Sequence, residues 1–368
     1  MKDLVVFSHL RWDFVFQRPQ HIMSRLANAY RVTFIEEEVY TEEPDGYTDY
    51  PAAPGIRVFR PHLQMDNDQD ITARKGAIVH RIMKALAIRD FIAWYYTPMA
   101  YPFTRHLAPA LVIYDCMDEL SAFLFSPPDL LENEAALLQV ADLVFTGGYS
   151  LYEAKKDKHP AVYCMPSSID KDHFGKARQT GTEPEDQAGI PMPRIGFFGV
   201  IDERFDTGLL REAAERKPDW HFVLIGPVVK IDPGGLPRMS NIHYLGSKSY
   251  EELPSYIRSW QIAMLPFAIN EATRFISPTK TPEYLAAGKP VLSTPVRDVV
   301  RTYGKNGLAT IVATAKEFIT EGEKLLQQND REWLLKADQF LAAMSWDDLV
   351  MQMETQLRAV LTLKKEKV

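Results

Sequence analysis

Cysteine is close to absent: Cys116 and Cys164 are the only two in 368 residues. Both fall in apolar stretches, Val112 to Met117 and Val162 to Met165, and read as buried reduced thiols. Neither belongs to a C-x-x-C pair, which excludes cysteine-held metal and dithiol redox chemistry. No window approaches the ~18 uninterrupted apolar residues of a membrane-spanning helix. The start, Met1-Lys2-Asp3-Leu4-Val5-Val6-Phe7, has neither the apolar core nor the small-residue cleavage site of a signal peptide. A cytoplasmic protein is expected, reaching the inner face of a membrane only by surface contact. Positive charge is in deficit, 42 Lys+Arg against 49 Asp+Glu, with a net charge of -7; nucleic acid is not an expected partner. His9, His21, His62, His80 and His106 are scattered, no H-E-x-x-H occurs, and zinc is not expected. G-x-S-x-G, a Walker lysine loop and G-x-G-x-x-G are also missing, against hydrolase, P-loop and simple dehydrogenase chemistry. Asp66-Asn67-Asp68 has a spacing that suits a divalent cation, but no apolar strand leads into it and it reads as a solvated acidic loop. No metal and no cofactor are expected.

What is present is alternation. Leu4–Ser8, Val32–Ile35, Ile56–Phe59, Phe91–Tyr96, Leu111–Asp115, Leu143–Thr146 and Ala161–Met165 read as strands, short and rich in β-branched and aromatic residues. Gln20–Ala29, Ile71–Ile88, Leu130–Val140 and Ser150–Lys156 read as helices between them. Residues 176–193, charged and carrying Pro184, Pro191 and Pro193, read as a linker. Alternation restarts with strands at Arg194–Phe198, Phe222–Ile225, Ile242–Leu245, Ile262–Leu265, Val291–Ser293 and Leu308–Val312, and helices near 208–217, 250–259, 279–287 and 315–328. The expectation is an α/β protein: a Rossmann-like domain over 1–175, the linker, a second over 194–345, and a helix over 346–368. Leu349, Met353, Leu357 and Leu361 give that last helix one apolar stripe, expected to return to the first domain. Ligands of such sheets sit at the carboxyl ends of strands, where strand order reverses.

One stretch carries most of the chemistry: Asn270-Glu271-Ala272-Thr273-Arg274-Phe275-Ile276-Ser277-Pro278-Thr279-Lys280-Thr281-Pro282-Glu283-Tyr284-Leu285-Ala286-Ala287-Gly288-Lys289-Pro290-Val291. A helix starts near Pro278–Thr279 and stops at Gly288. Its N–H groups together with Lys280 suit a diphosphate, and Glu283, one turn in, suits vicinal ribose hydroxyls. The same pattern also fits a plain helix with an acid in its first turn and an exposed lysine. Ahead of it, Arg194 to Asp206 reads as a strand running into a glycine turn at Gly199 that admits close approach of a ligand, with Arg204 nearby. Gly226-Pro227-Val228 and Tyr244-Leu245-Gly246-Ser247 follow the next two strands and would wall the same pocket.

The stretch ending in E-Y-L-A-A-G-K-P-V resembles the donor-site signature of GT-B glycosyltransferases related to family 4, in the subgroup of teichuronic-acid and other cell-surface polysaccharide transferases. The resemblance covers nearly the whole chain. It implies two Rossmann-like domains facing across a cleft, a nucleotide-sugar donor, by resemblance UDP-linked, and a glycan or lipid-linked acceptor. Glu283 falls on the family's second glutamate, which holds the ribose; Phe275 stands where the first would be. Val200 and Phe205 stand where the family places an arginine and a lysine on the phosphates, leaving Lys280, with Arg204 as a substitute. The donor site expected is therefore Gly199, Arg204, Gly226, Leu245, Gly246, Asn270, Pro278, Thr279, Lys280 and Glu283.

The first domain is expected to hold the acceptor. Ser8-His9-Leu10-Arg11-Trp12-Asp13-Phe14-Val15-Phe16-Gln17-Arg18-Pro19-Gln20-His21 follows the first strand. His9, Trp12 and Arg18 read as acceptor-side residues and His21 as a catalytic candidate at a helix start, with interdomain packing of Trp12 as the alternative. Asp115 and Asp118 emerge after another strand; either reads as a general base, and Asp118 equally as a helix cap. The helix around Ile71–Arg89 sets Arg74, Lys75, Arg81, Lys84 and Arg89 against Ile78, Ile82, Met83 and Leu86, a face suited to anionic lipid or simply to water. Two other functions stay open: a nucleotide-sugar epimerase on the same scaffold, and a non-catalytic glycan-binding protein derived from a transferase.

Overall fold

The computed structural model describes residues 2–65, 70–328 and 331–366. Asp66 and Asp68 of the acidic loop lie outside them. The chain divides into two compact units: one takes residues up to Ser121, Ser126–Pro166 and Asp347 onward, the other Ala122–Phe125 and Ser167–Trp346.

Among the described residues the first unit is built on nine strands: β1 Lys2–Phe7, β2 Tyr30–Ile35, β3 Val39–Thr41, β4 Gly46–Ala53, β5 Ile56–Gln64, β6 Phe91–Tyr95, β7 Leu111–Cys116, β8 Leu143–Thr146 and β9 Val162–Cys164. Their order is β3-β5-β2-β1-β6-β7-β8-β9, parallel throughout, with β4 antiparallel to β5. Leu4, Val5, Val6 and Phe7 are all buried, because a central parallel strand is covered on both faces. Strand order reverses at β1, so the loops after β1 and β6 lie at the switch point. Strand β4 has no continuous apolar run and contains Pro51, which its pairing to β5 alone tolerates.

The helix Trp346–Glu366 belongs, from Asp347 on, to this first unit. Leu349, Val350, Met353 and Leu357 are buried along one stripe. Arg25 pairs with Asp347 at 2.6 Å and Lys364 with Asp142 at 2.7 Å, holding both ends.

Among the described residues the second unit has six parallel strands, β10 Arg194–Phe198, β11 His221–Ile225, β12 Ile242–Tyr244, β13 Ile262–Leu265, β14 Val291–Ser293 and β15 Thr310–Ile311, in the order β12-β11-β10-β13-β14-β15. The reversal falls at β10, between β11 and β13. An added helix, Arg331–Ala342, buries Ala337 and Leu341.

Residues 176–193 are not a free linker, and the second unit begins at Ser167 rather than at 194. Gln187 is fully buried; its amide donates to the Tyr256 carbonyl and the Ser259 hydroxyl and accepts from Trp260 Nε1, each at 2.9 Å. Glu183 pairs with Arg194. The polar composition that reads as a linker supplies buried hydrogen bonds instead.

The basic helix is also revised. It spans Ile71–Ala85, and Arg74 is buried, donating to Asp45 at 2.6 and 2.7 Å and to the Gln64 carbonyl. Lys75 pairs with Glu38, leaving Arg81, Lys84 and Arg89 on the exposed side. Of the two thiols, Cys116 is buried but Cys164 only half-buried. No helix among the described residues is long and apolar enough to cross a membrane.

Candidate functional site

At the carboxyl ends of β10, β11 and β12 the chain makes three glycine turns side by side. Gly199 N donates to the Ile225 carbonyl and Gly226 N to the Gly246 carbonyl, both at 2.8 Å. Gly199 and Gly226 have φ of 137° and 138°, a region side chains avoid. A Cβ on Gly226 would lie 2.0 Å from the Gly199 oxygen, and one on Gly199 2.1 Å from Lys280 Cε. These glycines are there because neighbouring backbone and the Lys280 stem occupy the space. The Lys280 ammonium sits 5.9 Å from the centroid of the Phe197 ring. Gly246, φ 69°, faces open space, and Leu245 N ties its loop to the Leu224 carbonyl.

The helix carrying Lys280 and Glu283 spans Lys280–Ala286, with Thr279 at its cap position and the Pro278 carbonyl accepting from Thr281 N. It is pinned to β10 by Tyr284, whose hydroxyl accepts from Phe198 N at 3.1 Å. Tyr284 is fully buried; its place within the motif gives no hint of that bond. In the first turn, Glu283 is only 8 % exposed, and its Oε2 has no hydrogen-bond partner in the protein. Burial pushes its carboxyl up to about 8, with the Lys280 charge pulling the other way. The Thr281 hydroxyl is likewise buried without a partner. Buried polar atoms are rarely left unpaired, since each costs roughly 1–3 kcal/mol; two in one helical turn make this helix start a candidate ligand site.

The remaining donor-side residues divide. Arg204 does not stand open to a phosphate: Nε and Nη2 grip the buried Asp202 at 2.6 to 3.1 Å, and the guanidinium stacks 5.0 Å from the centroid of Phe123. Asn270 caps the short turn Glu271–Thr273, accepting from Thr273 N at 3.1 Å and donating to the Glu203 carbonyl. Phe205, in place of a lysine, is buried against Phe197. Lys280, Glu283 and Gly199 are thus brought together, while Arg204 and Asn270 hold loops.

In the first unit the largest correction concerns Arg18 and Asp115. Both are buried: Arg18 Nε and Nη2 reach Asp115 Oδ1 at 3.1 and 2.9 Å, and Nη1 reaches the Met165 carbonyl at 2.7 Å. Burial raises the Asp115 carboxyl and the guanidinium opposes it. Asp115 is a structural counter-ion tying β7 to the first helix, Arg18–Leu26, not a base for an acceptor, and Arg18 is not an acceptor contact. His21 is buried edge-on against Phe16 at 4.7 Å. Trp12 packs edge-on against Phe34 of its own unit at 5.1 Å, and its backbone N–H donates to Glu36 at 2.7 Å. His9 is half-buried in the loop after β1; Asp118, half-buried after β7, accepts the Cys116 thiol on its carbonyl. Residue pattern alone overlooks Glu36, a buried carboxylate at the end of β2 that also binds Arg60 at 2.7 Å. Among the described residues, no group of three or more His, Cys, Asp or Glu is arranged to hold a metal.

Residues 193–328, which contain this glycine-lined helix end, match the family described as Glycosyl transferases group 1. The chain is 27% identical over 240 residues to TuaH of Bacillus subtilis (strain 168), a glycosyltransferase named for teichuronic acid biosynthesis; the match spans 60% of this chain and 60% of that relative. Sucrose-phosphate synthase from Thermosynechococcus elongatus superposes with a TM-score of 0.72 at 14% identity, over 98% of this chain and 100% of that one. The trehalose-6-phosphate protein of E. coli bound with UDP-2-fluoro glucose gives 0.69 at 12%, over 98% and 99%. The fold is GT-B, shared with these structures.

Two outcomes follow. Asp115→Ala leaves a buried guanidinium uncompensated, and urea denaturation is expected to show a loss of about 3–5 kcal/mol; a catalytic base would leave stability unchanged. Glu283 binds its proton more tightly folded than unfolded, so that contribution is complete below about 4.5 and is lost as pH rises toward about 8. Without ligand, Glu283→Gln is expected to match the parent near pH 4.5 and to become the more stable protein by pH 8, each unit of displacement being worth about 1.4 kcal/mol. A stability difference flat over that window contradicts the burial argument.

Proposed function

We propose that this protein transfers a sugar from a nucleotide-sugar, a uridine diphosphate sugar in our reading, to a glycan or lipid-linked acceptor. The observation that carries it is the buried, unpartnered Glu283 Oε2 beside Lys280 at the open end of β10. A ribose offers two vicinal hydroxyl donors to that carboxylate, and ligand N–H or O–H groups favour its ionised form. In the transfer, the acceptor oxygen bonds to the anomeric carbon, the bond from that carbon to the diphosphate oxygen breaks, and the acceptor proton leaves to a base or to water. Lys280 and the helix N–H groups offset the charge that develops on the departing diphosphate. With Arg204 committed to Asp202, Lys280 is the cation on which that stabilisation rests most heavily. No metal or cofactor enters this reading. The uridine choice is supported by the ligand of the E. coli structure, and the polysaccharide acceptor by the name of the Bacillus relative. An epimerase and a binding protein draw no comparable support.

Glu283→Ala and Lys280→Ala are each expected to weaken UDP binding about tenfold or more in calorimetry, the size of a lost charge-assisted hydrogen bond. Turnover of the parent is expected to survive excess EDTA. Unchanged UDP affinity in both variants defeats the donor assignment; activity lost to EDTA and restored by magnesium defeats the metal-free reading and turns attention to Asp66 and Asp68.

Reversible contact with an anionic membrane face belongs to the same proposal. Arg81, Lys84 and Arg89 remain exposed, each worth on the order of 1 kcal/mol near such a surface. The protein is expected to co-float with anionic liposomes at low salt and to be released at high salt; no flotation at low salt makes that helix scaffold alone.

A further inference from the structure

The helix that begins with Lys280 ends at a cavity. Its volume is about 580 Å³, and Arg178, Thr180, Gly181, Arg258, Lys289 and Leu334 are among its walls. Three cations meet there. Arg258 is fixed by main-chain carbonyls: Nε to Gln179 at 2.9 Å, Nη1 to Thr182 at 3.0 Å and Nη2 to Lys176 at 3.4 Å. A Cβ on Gly181 would lie 2.7 Å from the guanidinium carbon, so the chain runs close against that plane. The Lys289 ammonium donates to the Arg258 carbonyl at 2.7 Å. Arg178 Nη2 donates to the Leu285 carbonyl at 2.9 Å, at the helix end, and pairs with Asp338.

Carbonyl groups satisfy hydrogen bonds without neutralising charge. Among the described residues no carboxylate pairs with Arg258 or Lys289. Burial, and then the neighbouring Arg258 charge, push the Lys289 ammonium down to about 8. Two of the five guanidinium N–H groups remain after the three carbonyl bonds, and their plane is already fixed. A rigid guanidinium and a partly desolvated ammonium with one counter-ion among three cations make a site prepared for an anion. We propose that this cavity is a second anion site, separate from the nucleotide site, taking a phosphate-bearing small molecule.

The test is calorimetric titration of the full chain with pyrophosphate in a Lys280→Ala background, which disables the nucleotide end of the helix. One molecule is expected to bind. Adding Lys289→Met is expected to weaken it about tenfold or more, and Arg178→Gln to weaken it measurably. No binding in the Lys280→Ala background overturns the proposal, as does parent-like affinity after both further changes. If Lys289→Met fails to fold by circular dichroism, Arg178→Gln decides alone. Failure of the donor reading would show separately, as UDP affinity unmoved by Lys280→Ala with pyrophosphate binding intact.

Discussion

The hydroxyl of Tyr284 accepting the Phe198 N–H is the bond on which the site of the second unit depends. It joins the last residue of β10 to the second turn of the short helix after β13, two segments more than eighty residues apart in the chain. A seven-residue helix has little stability of its own. Its position comes from burial of Tyr284, Leu285 and Ala286 and from this one polar link. Once it is fixed, Lys280 lies across Gly199 and Glu283 turns inward. The glycine at 199 is then a consequence of the lysine stem that occupies its place.

The two units treat buried charge in opposite ways. The first unit closes its ionic groups on one another. Asp115 takes Arg18, Glu134 and Glu119 take Lys155 at 2.6 and 2.8 Å, and Glu36 takes Arg60. Such closed pairs specify geometry and offer a ligand little. The second unit leaves acceptors open at one end of a helix and cations without equal counter-charge at the other. Its Arg204 on Asp202 and Arg194 on Glu183 are closed in the manner of the first unit.

Much of this was legible before any coordinates. The alternation of Leu4–Phe7 or Phe222–Ile225 with amphipathic segments is enough for two parallel sheets, because strands covered on both faces are written in continuous apolar runs. Strand β4 escaped because Thr48, Asp49 and Pro51 break that pattern, as a strand held only by β5 permits. Residues 176–193 escaped because Gln187 and Glu183 are polar letters used inside, and composition does not say where a side chain ends. Glu283 and Lys280 were legible because a helix-start motif carries both. Arg18 and Asp115 lie at strand and helix ends that look equally open in sequence, and only packing shows that they close on each other.

The interleaving of the units bears on how the chain is made. The first unit owns the beginning of the chain and also its last helix, from Asp347, while Ala122–Phe125 is lent to the second. On a ribosome, the piece that covers the first unit with Met353 and Leu357 emerges after the whole second unit has been synthesised. The first unit therefore stays incomplete while the second is synthesised, with an apolar strip uncovered until the residues from Asp347 onward emerge. No single cut in the gene separates the two units into whole pieces.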